Sequence, residues 1–149
     1  MEQNIWEYDD FIFKGDELKG MTQKGKDKVK VEGKTDLVIP ELTPDGLPLK
    51  KIADNAFYRR GLTSVVIPNT VESIGYDAFG VCKLKEVKLP EALVNIEGFA
   101  FYRNKLTKVE FGSKVKRLEP SSFAMNELAE IAFPETLEYI GASAFYKNN

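Results

Sequence analysis

The sequence predicts an α/β solenoid, one chain wound into stacked coils that share a core, with a parallel sheet on one face and short helical turns or loops on the other. Three observations carry this reading. Leu62, Leu84, Leu106 and Leu128 recur every 22 residues without slippage, and self-similarity at a fixed period of this size marks one supersecondary unit stacked on its neighbours. In that register the columns Val65/Val87/Val109/Ile131, Ile67/Leu89/Phe111/Phe133, Val71/Leu93/Val115/Leu137 and Ile74/Ile96/Leu118/Ile140 are apolar in every copy. A last column, Phe79, Phe101, Phe123 and Phe145, follows Ala78, Ala100, Ser122 and Ala144. It sets a large ring beside a small residue where each coil turns back.

Taken in chain order, residues 1–36 stand outside the repeat, yet Trp6, Tyr8, Phe11, Ile12 and Phe13 are too apolar for a free tail. An uncovered first coil would expose a sheet edge, so this segment is expected to cap it. FIFKGDELKGM reads as two short strands joined through Gly15 and Asp16. Lys24, Lys26, Lys28 and Lys30, interleaved with Asp27 and Val29, form the most basic local run and are expected to lie on a solvated hairpin face rather than in a polyanion site.

Residues 37–149 hold five copies. The first is imperfect: Leu37, Ile39 and Pro40 match the strand, Ile52, Ala56 and Phe57 match the return, and six extra residues separate them in ELTPDGLPL. Pro44, Asp45 and Gly46 mark that insertion as a turn. Within each copy, triplets such as Val65, Val66, Ile67 put the outer members inward and the middle one toward solvent, as a short strand requires. Pro68, Pro90 and Pro134, with Gly112 in the fourth copy, end these strands because proline cannot donate the next ladder bond. Asn55, Asp77, Ser121 and Ser143 precede the Ala/Ser-Phe pair and are expected to cap a short helical turn, an arrangement that Phe99 breaks in the third copy. Cys82, Asn104, Asn126 and Asn148 form a polar column after the Phe turn that suits buried loop backbone. The last copy ends at Asn149 with no closing cap. That ending reads as truncation of a longer array, with homodimerisation through the uncapped strand Leu128–Phe133 as the runner-up.

Composition narrows the function. A formal net charge of −2, from 21 basic and 23 acidic residues, supplies no general field for nucleic acid, and no apolar run is long enough to insert in a membrane. There are no histidines, which removes the commonest general base and zinc ligand, and the single cysteine allows no internal disulfide. Cys82 is read as an inert, partly buried thiol. No Gly-x-Gly phosphate loop is present, so neither catalysis nor a metal or cofactor site is expected. MEQNIWEYDDFIF lacks the basic start and apolar stretch of a secretory signal, which leaves a cytoplasmic location open.

LTSVVIPNTVESIGYDAFGVCKLKEVKLP resembles the bacterial leucine-rich repeat of the BspA type, in which a Leu-x-x-Val-x-Ile-Pro strand is followed by an Ile-Gly-x-x-Ala-Phe return and then Cys or Asn. The resemblance runs over residues 37–149. It implies a right-handed solenoid with a curved parallel sheet, and a cell-surface or secreted protein that adheres to a host or neighbouring-cell protein. It departs from the eukaryotic-type repeat, since Thr70, Ala92, Lys114 and Thr136 stand where a buried asparagine would follow the strand.

Two surfaces are candidates for a protein partner. The strand face, Ser64, Val66, Glu86, Lys88, Lys108, Glu110 and Glu130, would form the concave surface of a curved array, with opposite charges neighbouring each other along the sheet. The aromatic column Tyr58, Tyr102 and Tyr146 brings apolar area with a hydroxyl, or covers the Phe column beneath it. A non-enzymatic adhesion module, as a fragment of a larger surface protein, and a structural spacer or cytosolic scaffold without its own ligand both fit these residues.

Overall fold

A computed structural model describes residues 5–149; residues 1–4 of the expected cap lie outside the described residues. A 3-10 turn at Tyr8–Asp10 leads into the strands β1 (Phe11–Lys14) and β2 (Glu17–Met21), followed by the helix α1 (Gln23–Lys30). The coils then contribute β3 (Asp36–Val38), β4 (Lys51–Ile52), β5 (Ser64–Val66), β6 (Ser73–Ile74), β7 (Glu86–Lys88), β8 (Asn95–Ile96), β9 (Lys108–Glu110), β10 (Arg117–Leu118) and β11 (Tyr139–Ile140).

The longest sheet lies along the return side, in the order β1-β2-β4-β6-β8-β10-β11, rather than along the strand face where the sequence places the main ladder. Its register sets Leu18, Ile52, Ile74, Ile96, Leu118 and Ile140 side by side, so the cap's second strand supplies the first rung of the isoleucine column. All pairings are parallel except β1 with β2. Two residues per coil suffice because the backbone on either side also bonds coil to coil: Gly75 N–H donates to Ile52 O at 2.8 Å, Glu97 N–H to Ile74 O at 3.0 Å and Gly141 N–H to Leu118 O at 2.7 Å.

The Lys-rich run is a helix and not a hairpin face. Thr22 caps it, its hydroxyl accepting the Gly25 N–H at 3.2 Å. A Cβ on Gly25 would lie 2.2 Å from the Asp10 carbonyl oxygen, so only glycine lets the helix approach the 3-10 turn this closely. Lys28 is buried, with Nζ 2.6 Å from Asp10 Oδ2 and 2.5 Å from Ile5 O. Burial of this ammonium is tolerated because it is paired and hydrogen-bonded at once.

The turn that closes each coil is built differently from a capped helix. Asn55, Asp77, Phe99, Ser121 and Ser143 all have φ between 55° and 61°, and Arg59, Val81, Arg103, Met125 and Lys147, four residues on, have φ between 53° and 60°. The small polar residues are there because Asn, Asp and Ser accept the left-handed region at low cost, which resembles a cap preference in sequence. Phe99 adopts the same geometry as its column mates, so the third copy is as regular as the others. What holds these strained residues is the stacking itself. Phe57, Phe79 and Phe101 N–H donate to the carbonyls of Ala78, Ala100 and Ser122 at 2.7, 2.8 and 2.9 Å, and the rings of Phe57, Phe79, Phe101 and Phe123 stack at 5.3 Å between centroids.

Inside the turn the asparagine column closes every bond it can. Asn104 Oδ1 accepts the Leu84 N–H at 3.0 Å while its Nδ2 donates to Phe79 O at 2.9 Å and Phe101 O at 3.1 Å. Asn126 repeats this with Leu106, Phe101 and Phe123, and Asn148 with Leu128, Phe123 and Phe145. Cys82 in the same column has only one weak bond, Sγ to Phe57 O at 3.3 Å.

Along the last coil the core comes to the surface. Phe133 and Ile140 are 43% and 46% exposed. The expected strand Leu128–Phe133 does not form, and the unpaired sheet edge at this end belongs to β11 instead.

Two substitutions test this account of the core. Phe101→Ala is expected to cost about 3–5 kcal/mol by opening a cavity in the middle of the ring stack, against about 0.5 kcal/mol or less for the exposed Lys88→Ala, in urea melts of both. Cys82→Asn is expected to raise stability by about 1 kcal/mol by completing the amide column; an unchanged or lower urea midpoint would show that the column is not what satisfies the turn.

Candidate functional site

The strand face forms as two ribbons rather than one sheet. β3 pairs with β5 and β7 with β9, each parallel, and no ladder joins β5 to β7. A threonine precedes β3, β5 and β9 but not β7, and this accounts for the division. Thr63 sends its N–H to Thr35 O at 2.9 Å and its hydroxyl to the same carbonyl at 3.3 Å. Thr107 does the same to Lys85 O, at 2.9 and 3.3 Å. The equivalent residue is Lys85 in the third copy and Ala129 in the last. Neither side chain ties back to the preceding carbonyl, and the ladder is missing at both places.

A shallow cavity of about 240 Å³ marks the split, lined by Ser64 and Val65 of β5, Glu86, Val87 and Lys88 of β7, and Lys108 and Glu110 of β9. Val65 is only partly buried there, whereas Val87 and Val109 are fully inside, and Val66 is 59% exposed beside it. The centre of this face is therefore apolar and its margin charged. Register sets Glu86 opposite Lys108 and Lys88 opposite Glu110, but among the described residues no ion pair closes between them, so these charges stay available to solvent or to a partner.

Of the residues expected on this face, Ser64, Val66, Glu86, Lys88, Lys108 and Glu110 are brought together. Glu130 lies outside any strand, in a coil that the strand-face ladder does not reach.

Tyr58, Tyr102 and Tyr146 share a column but do not form one surface, because Gly80 and Ala124 separate them. Tyr58 Oη accepts from Arg59 Nε at 3.0 Å. Tyr102 meets Phe99 edge-on at 5.0 Å, and Phe99 meets Tyr76 at 5.3 Å. Tyr146 is exposed beside Lys147. The Tyr76–Phe99–Tyr102 cluster escapes a reading by columns because it crosses between them.

Cys82 is buried, and desolvation pushes its thiol above the ordinary range, which disfavours the nucleophilic thiolate. Among the described residues no group of three or more acidic, His or Cys side chains is placed to hold a metal ion. No helix among them is long and apolar enough to cross a membrane.

These features define a leucine-rich repeat solenoid with an open, two-ribbon face. The profile of the BspA type leucine rich repeat region (6 copies) matches residues 50–149, and the chain belongs to that family. Among solved structures, it is similar to the T. pallidum leucine rich repeat protein, at 28% identity and a TM-score of 0.75, over 87% of this chain and 58% of that one. It is also similar to the pneumococcal vaccine antigen PcpA, at 18% identity and a TM-score of 0.66, over 93% of this chain and 45% of that one. The second likeness is one of fold alone. The chain thus spans about half the length of the solved proteins it resembles. No curated protein sequence matches it.

The threonine account yields a direct check. Lys85→Thr is expected to join β5 to β7, adding about 0.5–1.5 kcal/mol of stability and slowing amide exchange in residues 64–66 and 86–88. Unchanged exchange there would show that the hydroxyl does not decide where the ladder breaks.

Proposed function

We propose that this chain is a non-enzymatic protein-binding module, a segment of a surface-associated bacterial leucine-rich repeat protein that holds its protein partner on the strand face around the β5–β7 cleft. The observation that carries the reading is the gap at Val65, on the strand that also bears the exposed Val66, with Glu86, Lys88, Lys108 and Glu110 on its β7 and β9 side and none of the four locked in an ion pair. An apolar centre with a polar rim is the anatomy of a protein interface. The cleft is too shallow and its lining too charged to enclose a small molecule. A surface location accords with the family and with the adhesive role that the resemblance implies.

Site-specific photocrosslinking tests this. A photoreactive residue in place of Lys88 is expected to capture a defined partner from intact neighbouring cells, and Val66→Glu in the same chain to reduce capture at least about tenfold. A photoreactive residue in place of Lys51, on the return sheet, is expected to capture nothing above background. Equal capture from both positions, or capture indifferent to Val66→Glu, would overturn the assignment of the face.

A further inference from the structure

Stacking builds a second surface that no stretch of the sequence displays. Between the Phe turn and the strand, three successive coils present Arg59 and Arg60, Lys83 and Lys85, and Arg103 and Lys105, with no acidic residue in 58–63, 80–85 or 102–107. The coils are locked in register at this place: Arg59 N–H donates to Gly80 O at 3.0 Å, Lys83 N–H to Leu62 O at 2.8 Å and Lys105 N–H to Leu84 O at 2.9 Å. In the 22-residue register Arg59 and Arg103 share one position two coils apart, and Lys83 and Lys105 share another in adjacent coils whose Phe rings lie 5.3 Å apart.

Five of the six are exposed and Arg60 is half-buried. Among the described residues none of them joins an ion pair, although Lys19, Lys24, Lys28, Lys34, Lys50 and Arg117 all do. In a chain of net charge −2, six uncompensated cations on one ridge form a local field of the wrong sign for the whole molecule. Such a field steers and holds an anionic partner.

We propose that this ridge binds a short acidic peptide segment of a protein partner, in extended form along the solenoid axis. Three observations choose that occupant over other anions. The strip is three coils long, and Glu127 takes the place of Lys105 in the next coil, so a long polymer of fixed charge would run onto a repelling residue. The aromatic rings beside the strip are already engaged, Tyr58 under the Arg59 guanidinium at 5.4 Å and Tyr102 against Phe99 at 5.0 Å. That removes the free stacking platforms on which single-stranded nucleic acid depends. Arg59 and Arg103 offer planar forks that pair with carboxylates two bonds at a time, and clustered arginines are a recurrent reader of acidic motifs. Lys85 stands just before β7, where the ridge meets the strand face, while Arg59, Lys83, Arg103 and Lys105 lie outside the strands and test the ridge independently of that face.

Fluorescence anisotropy with a labelled oligoglutamate peptide of about ten residues tests the proposal, with a sulfated oligosaccharide and an oligothymidylate of equal charge as competitors. The peptide is expected to bind with an affinity that falls as salt rises. The double variant Lys83→Glu/Lys105→Glu is expected to weaken it at least about tenfold, and Arg59→Glu/Arg103→Glu by a similar factor. Lys26→Glu/Lys30→Glu on α1 and Val66→Glu on the strand face are expected to leave it unchanged, with circular dichroism confirming the fold of each variant. Peptide affinity indifferent to both ridge variants would overturn the proposal. So would displacement of the peptide by the sulfated oligosaccharide or the oligothymidylate at lower concentration than unlabelled peptide.

Discussion

A coil can reverse direction inside a shared core only if the carbonyls exposed by the reversal find donors there, and here the asparagine amide is what supplies them. Asn104, Asn126 and Asn148 each take one N–H from the strand of the coil before and give two N–H bonds to Phe carbonyls of the turns. A buried carbonyl left without a donor costs on the order of 1–3 kcal/mol, and each turn presents one such Phe carbonyl. The amide also spans adjacent coils, so the same three bonds that close one turn tie it to its neighbour. The constant three-residue spacing from Phe to Asn follows from this, because any insertion between them would pull the amide out of reach. The six extra residues of the first copy sit elsewhere, between strand and return, folded into a small bridge between Leu42 and Pro48.

The stacked turns also carry backbone strain. Among the described residues ten non-glycine residues lie in the left-handed region, including the β-branched Val81 and the bulky Phe99, for which that region is most costly. Such residues persist where the surroundings over-determine them. Here the inter-coil bonds from Asn55, Phe57 and Arg59 to Tyr76, Ala78 and Gly80, repeated in every copy but the last, hold the backbone on this path. Strain in one coil is offset by packing against two.

The solenoid was legible because its columns are apolar in every copy, and the Cys82/Asn104/Asn126/Asn148 column announced its role by chemistry alone. Other features escaped for identifiable reasons. The return ladder is two residues wide, too narrow to show a period of two. The helix α1 was hidden by alternating lysines and by Gly25, whose packing against Asp10 is a tertiary fact. The left-handed residues were mistaken for caps because the same small polar side chains serve both needs. Of the seven residues expected on the strand face, six lie on or between the paired strands and Glu130 lies outside any strand. The cleft depends on a small difference, Lys85 in place of threonine, and the basic ridge on charges 22 residues apart that no local count would join.

The two long sides of the molecule are mechanically unlike. On the return side, backbone bonds run unbroken from the cap to the last coil; on the strand side they lapse between β5 and β7. A guest entering at Val65 would part side chains there without breaking a rung, while the opposite side acts as the spine of a book. The strand side lapses again beyond β9, so an array bound along one edge has two places on the other where its coils can part.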